Sequence, residues 1–371
     1  MKIPQVLPWL DQDEISAVND TIKANWITEG RLSTEFSLKL NELIGTQYGV
    51  FAPNGTLALF LGLLAMGIGP GDEVIVPDCT FIASANAVIL TGAKPVFVDV
   101  NRLNYQIDVS QCEHLVTPRT RAIMPVHLFG MTANMMEVMQ FAERYHLRVI
   151  EDAAQAIGVR YKGRHAGTFG DIGCFSFFAD KTITTGEGGY VVCKDKGLYE
   201  RLLLLRNQGR IDRGSFIHPA IGYNFRMTDL QAAIGLVQLA KLDTIIQRKH
   251  IILEWYHREL DSIENIQFVT VVPESEYVPF RVVLICRGAH SLMTYLSEHG
   301  VQSRTFFFPL HRQPCFEYLG RAQGGMLDLD DELYPNAVFG YENGICLPVF
   351  PTLSNEQVDY ICSHIKEFYV R

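Results

Sequence analysis

Between about residue 46 and residue 195, short apolar runs alternate with segments whose apolar residues recur at helical spacing. Runs at Glu73–Pro77, Pro95–Val100, Ala122–His127, Leu147–Glu151, Gly173–Phe178 and Gly189–Cys193 predict strands. Ser84–Thr91 and Met135–Tyr145 between them predict helices, and the apolar stretch Leu57–Gly69 has the length of a buried core helix. Strands alternating with helices predict an α/β fold, a mainly parallel mixed sheet between helices. Thr228–Leu260 reads as one long helix or a kinked pair. Leu230, Ile234, Val237, Ile245 and Ile252 share a face there, interrupted by Lys241 and Arg248. Beyond it, strands at Ile266–Val272, Phe280–Cys286 and Gly344–Pro348, with helices at Ser291–His299 and Ser354–Phe368, predict a smaller α+β unit. The expected division is a large domain over residues 1–245 and a small C-terminal domain over residues 246–371.

Charge and composition narrow the class. A net charge of −9 argues against a general nucleic-acid binder, which carries a basic stripe, although a locally basic pocket can still take an anion. The N-terminus, MKIPQVLPWLDQDEI, lacks the apolar core of a secretory signal, and no apolar run spans a bilayer. A cytoplasmic protein with no membrane partner is expected. The eight cysteines are scattered with no C-x-x-C pair, so they predict reduced, packed thiols and no metal site.

In such sheets ligands bind at the carboxyl ends of the strands, and the candidate chemistry falls there. Lys181, in SFFADKTITTGEGG (176–189), follows a strand and precedes a glycine-rich turn. Apolar neighbours would desolvate its amine, lower its pKa and make it a nucleophile toward a carbonyl; a solvated surface lysine is the plain alternative. Asp152 ends the apolar run in VIEDAAQ and belongs at the same sheet edge. It suits the nitrogen of a pyridinium ring, or simply opens the next helix. Asn54–Gly55–Thr56 precedes a helix, whose N-terminus suits a phosphate or is merely capped. Ser176 is a second candidate phosphate donor, Phe81 a candidate to stack on a ring, and Gln155 a candidate for the ring's phenolic oxygen. Each also has an ordinary packing or surface reading.

These segments, in this order, resemble the nucleotide-sugar aminotransferases, pyridoxal-phosphate (PLP) enzymes of the aspartate-aminotransferase-like fold. The resemblance runs through WITEG (26–30), NGTLAL (54–59), GPGDEVIVP (69–77), GAKPVFVDV (92–100), RTRAIMPVHLFG (119–130), EDAAQAIG (151–158), SFFADKTITTGEGG, RNQG (206–209), GYNFRMTDLQAAIG (222–235) and FFFPLH (306–311). It implies that Lys181 carries the cofactor as a Schiff base and is the catalytic residue. By the same resemblance Asp152 meets the ring nitrogen, Gln155 the ring oxygen, and Gly55, Thr56 and Ser176 the phosphate, while Phe81 covers the ring. Asn224 matches an asparagine that reaches the phosphate in a neighbouring subunit, which implies a homodimer with shared sites. Related sugar dehydratases carry histidine at the position of Lys181, so the lysine favours amino transfer.

Within the family the chain looks closest to perosamine-synthase-like enzymes, which aminate a GDP-linked 4-keto-6-deoxyhexose. The expected partners are that nucleotide sugar and L-glutamate, and the cofactor alternates between pyridoxal and pyridoxamine phosphate. dTDP- or UDP-linked 4-keto or 3-keto sugars, or a non-catalytic PLP-binding protein, are the rival readings. For the sugar diphosphate, His311 and then His218 are the expected contacts. Arg160, Lys162, Arg164, Arg210, Arg213, Arg304 and Arg312 are further candidate cations.

Overall fold

A computed structural model of the chain describes residues 1–211, 214, 216–317 and 330–370. A seven-stranded sheet is laid down by β1 (Tyr48–Ala52), β2 (Glu73–Pro77), β3 (Lys94–Val98), β4 (Thr120–Ile123), β5 (Arg148–Asp152), β8 (Ile172–Ser176) and β9 (Gly189–Cys193), in the order β1-β9-β8-β5-β4-β2-β3. A small hairpin, β6 (Arg160–Tyr161) and β7 (Arg164–His165), paired through β6 with β11 (Ser275–Glu276), interrupts the series between β5 and β8. Pairings from β8 across to β3 are parallel, whereas β9 runs antiparallel to both β1 and β8. The mainly parallel mixed sheet expected of the sequence is present, and β1 is a strand that the apolar pattern did not single out.

Side-chain alternation sorts the strands between two cores. Val50, Ala52, Cys174, Val191 and Cys193 face one core, while Phe51, Phe175, Phe177, Tyr190 and Val192 face the other. Helix α3 (Gly55–Ala65) is buried along most of its length, as its apolar run predicts, because it lies between the sheet and the helices α4 (Ala83–Leu90) and α6 (Lys196–Arg206), while α5 (Met135–Tyr145) packs on β5. On the opposite face α2 (Arg31–Ile44) places Phe36, Leu40 and Ile44 against Phe51 and Phe177.

The predicted long helix is a pair, α7 (Asp229–Ala240) and α8 (Leu242–Leu260), broken at Lys241. There the lysine ammonium meets Glu14 at 2.9 Å and Asp11 at 2.8 Å, on and before α1 (Gln12–Lys23). Helix α8 bridges the cores: Leu242 and Ile245 join the Phe36 core, whereas Ile252, Tyr256 and Leu260 join a third one. That third core lies on a four-stranded antiparallel sheet in the order β10-β12-β14-β13, made of β10 (Ile266–Phe268), β12 (Val282–Cys286), β13 (Arg304–Thr305) and β14 (Gly344–Leu347). It is covered by α9 (Ala289–Glu298) and the C-terminal helix Asn355–Val370. Among the described residues no helix is long and apolar enough to cross a membrane.

Candidate active site

Strands β1, β2, β4, β5 and β8 all deliver their carboxyl ends to one edge, where a cavity of about 380 Å³ opens. Asn54, Gly55, Thr56, Phe81, Asp152, Gln155, Ser176 and Lys181 all line it. Seven of these are the cofactor residues expected from the sequence, apart from Asn224, and they come from four separate stretches of chain.

The corner expected to take the phosphate is built largely by backbone. Asn54 caps α3, its side-chain oxygen accepting from Leu57 N–H at 3.0 Å. The helix N-terminus beside it offers a positive dipole end. Gly55 packs so closely on β8 that a Cβ there would stand 2.8 Å from the Ser176 Cβ. Any side chain at this position would fill the space between the Thr56 turn and the Ser176 hydroxyl.

Asp152 is buried, and its carboxylate accepts from the Ser84 hydroxyl at 2.7 Å and from Ala154 N–H at 3.1 Å. Burial raises its pKa, opposed by those hydrogen bonds and by the positive charge of Lys181. Beneath it Glu151 is satisfied wholly by protein: it accepts from Gly167 N–H, Gly170 N–H and the His127 ring. Because His127 Nδ1 accepts from Ala133 N–H, its Nε2 carries the proton and donates to Glu151 at 2.8 Å. Of the two adjacent carboxylates, Asp152 lines the cavity.

Gln155 accepts from Phe129 N–H at 2.7 Å through its amide oxygen, which leaves the NH₂ end to donate. Phe129 itself holds φ at 61°, and Gly130 follows at 89° with no room for a Cβ, which would meet the Val278 carbonyl. A bulky residue in the left-handed region is strained, and the strain here sits in the cavity wall.

Lys181 stands five residues beyond β8, where threonines fold the chain back. Thr184 Oγ1 donates to the Phe177 carbonyl, and Gly186, at φ 80°, closes the turn. The lysine side chain is 14% exposed, and its ammonium lies 4.8 Å from the centre of the Phe280 ring and 3.5 Å from Asp180 Oδ1. Burial lowers its pKa, Asp180 and Asp152 raise it, and Arg281 lowers it. The Lys181 amine, its pKa lowered by burial, therefore shares a cavity with a buried carboxylate, and each charge acts on the other.

The substrate expectations fare differently. His311 lies outside the cavity. Its Nδ1 bonds Asp78 and its Nε2 bonds Asp331, at 2.7 and 2.9 Å, so neither ring nitrogen is left for a ligand. Burial opposes charge on this ring, but the two carboxylates outweigh it and raise the pKa. His311 thus clamps Asp78 to Asp331.

His218 bonds the Gln208 carbonyl at 2.7 Å and shares a separate surface cleft with Asn224, away from Lys181. Phe81 is on the cavity wall, 56% exposed, with its ring 6.0 Å from that of Phe307. Arg160, Lys162, Arg164 and Arg312 are engaged elsewhere, and Arg210 lies beside Asn207. Arg213 falls outside the described residues. Arg304 lines the cavity, joined by Arg281, which sequence reasoning missed. The available signal was a lone arginine inside the apolar run VPFRVVLIC.

A lysine after a central strand, a buried carboxylate across the cavity and a helix N-terminus beside two hydroxyls fit pyridoxal phosphate, and in this fold they define a PLP-dependent transaminase. The chain belongs to the DegT/DnrJ/EryC1/StrS aminotransferase family, whose model matches residues 8–366. It is 42% identical over 374 residues to GDP-perosamine synthase from Escherichia coli O157:H7, covering 99% of this chain and 98% of that relative. Among solved structures, DesV from S. venezuelae superposes with a TM-score of 0.90 at 32% identity, covering 99% of each chain. The PLP-form of Spr1654 from Streptococcus pneumoniae gives 0.92 at 29% identity, covering 99% of this chain and 98% of that one.

Proposed function

We propose that this chain transfers the amino group of L-glutamate to C4 of a GDP-linked 4-keto-6-deoxymannose, the reaction type of GDP-perosamine synthesis, in the cytoplasm. The observation that carries the reading is 42% identity to a GDP-perosamine synthase along the whole chain. When bound, PLP supplies a carbonyl carbon to receive the amino group and a ring that draws electrons from the breaking C–H bond.

The chain's own residues then have distinct tasks. Lys181 Nζ takes the proton from the donor's Cα and, in the second half of the cycle, delivers one to C4 of the sugar. Burial lowers its pKa, the direction that favours the free amine a base requires. Asp152 faces the ring nitrogen and favours its protonated form. Gln155 donates to the phenolic oxygen, Phe81 covers the ring, and Gly55, Thr56 and Ser176 hold the phosphate. Asn224 reaches the phosphate of a second copy in a homodimer, consistent with its place outside its own chain's cavity. A monomeric mass by light scattering at assay concentration would remove this last element.

Offering GDP-4-keto-6-deoxymannose, dTDP-4-keto-6-deoxyglucose and a UDP-linked 3-keto sugar, with L-glutamate as donor, tests the substrate. The expected product is a 4-amino sugar from the GDP substrate, at a kcat/KM at least about tenfold above the others. Preference for either rival sugar reverses the substrate assignment, and no amine from any of the three rejects it.

A further inference from the structure

Immediately before Lys181 stands a carboxylate with an uneven set of partners. Asp180 Oδ2 is taken by Arg281, whose Nη2 donates at 2.7 Å. Asp180 Oδ1 is buried and accepts no hydrogen bond among the described residues; Lys181 Nζ lies 3.5 Å from it, a loose ion-pair contact. Arg281 is itself fixed: it sits on the backbone just before β12, is 8% exposed at the side chain, and also donates to the Phe280 carbonyl. Behind it Lys249 of α8 donates to the carbonyls of Pro279 and Val349, both at 3.1 Å, which pins the same backbone from the other side.

A transaminase lysine alternates between a covalent bond and a free amine that accepts a proton. In a site of low polarity the resulting ammonium needs a counter-ion at each release. We propose that Asp180 and Arg281 form a positioning pair for Lys181, in which Arg281 occupies one carboxylate oxygen so that the other receives the lysine's ammonium whenever it is off its covalent partner. Proton and charge balance within the pair: Lys181 gains the proton lost by the carbon acid and returns it, and no proton passes to Asp180.

The other charged groups around Lys181 are Asp152 across the cavity, Glu187 and Arg304 on its wall, and Lys249 behind Arg281. Asp180 differs from them by touching the amine and by having an oxygen with no other partner. The directions agree with electrostatics: the Asp180 charge favours the protonated amine, and the Arg281 charge disfavours it.

The inference rests on the proposed role of Lys181 and is independent of the sugar. The test compares native protein with Asp180→Asn, Asp180→Glu and Arg281→Gln by two readouts. One is the pH midpoint of the visible absorbance of the PLP-loaded enzyme. The other is the rate of Lys181 reductive methylation in cofactor-free protein at fixed neutral pH, read by peptide mass spectrometry.

Asp180→Asn is expected to lower the midpoint and speed labelling about threefold, Arg281→Gln to raise the midpoint and slow labelling, and Asp180→Glu to stay near native. Opposite shifts are the signature, since a merely structural role would not give the two variants opposite signs. Unmoved midpoints, or shifts in the same direction, overturn the proposal. Should Arg281→Gln fail to fold, the contrast between Asn and Glu at position 180 decides alone. Native protein that never develops the visible band would instead defeat the role of Lys181 itself.

Discussion

A buried amine is held in this protein by more than one set of forces, and Lys249 shows the cost. Its ammonium donates to two carbonyls, but burial and then the charge of Arg281 bring its pKa down to about 7 from the ordinary 10.5. Between those values the unfolded chain binds a proton that the folded protein does not, so this group's contribution to stability rises with pH through that window. Denaturant melts of native protein and Lys249→Met should therefore diverge in favour of the native protein as pH increases from 7. Parallel stability curves would show that Lys249 is already charged when folded. At this scale the sequence disclosed Lys181 and Asp152, because residues at strand ends are exposed by pattern alone. It could not disclose that His311 is spent between Asp78 and Asp331, or that Arg281 pairs with Asp180: those partners lie 233, 20 and 101 positions away in the chain.

Elements explain why some segments resemble relatives without touching the chemistry. Asp229, at the start of α7, accepts from the backbone N–H groups of Gly30 and Ser33 at 2.9 Å and of Leu32 at 3.1 Å, and so caps α2 across 196 to 199 positions. WITEG and the TDLQ of the α7 segment are two halves of one joint, with Gly30 too close to Trp26 and Asp229 for a Cβ. Asp229→Ala should leave the Leu32 and Ser33 N–H groups without an acceptor, while Gly30 N–H keeps the Ser33 hydroxyl at 2.9 Å, and lower stability by about 2 kcal/mol. A midpoint in urea equal to native would refute the joint. Strands Glu73–Pro77 and Gly189–Cys193 were legible to the residue because both are buried apolar runs with breakers at their ends. β1 was missed since YGVFA is short and glycine-broken, and its place at the sheet edge depends on antiparallel pairing with β9. The break between α7 and α8 was only half legible: Lys241 interrupts the apolar face, but the acidic residues that fix it belong to the α1 region.

The whole molecule places its chemistry where strands from one sheet end together, with the small sheet contributing the opposite wall through Phe280, Arg281 and Arg304. The N-terminal segment closes on that small sheet, Ile3 bridging to Val301, so residues at the two ends of the chain pack in one core. In the proposed reaction Lys181 is the group that moves the proton. The most direct measurement is the single-turnover reaction of PLP-loaded protein with L-glutamate, followed by the loss of visible absorbance. Lys181→Ala, loaded with the same cofactor, is predicted to react at least about a thousandfold more slowly than native protein. A variant that converts L-glutamate at the native rate would contradict the account.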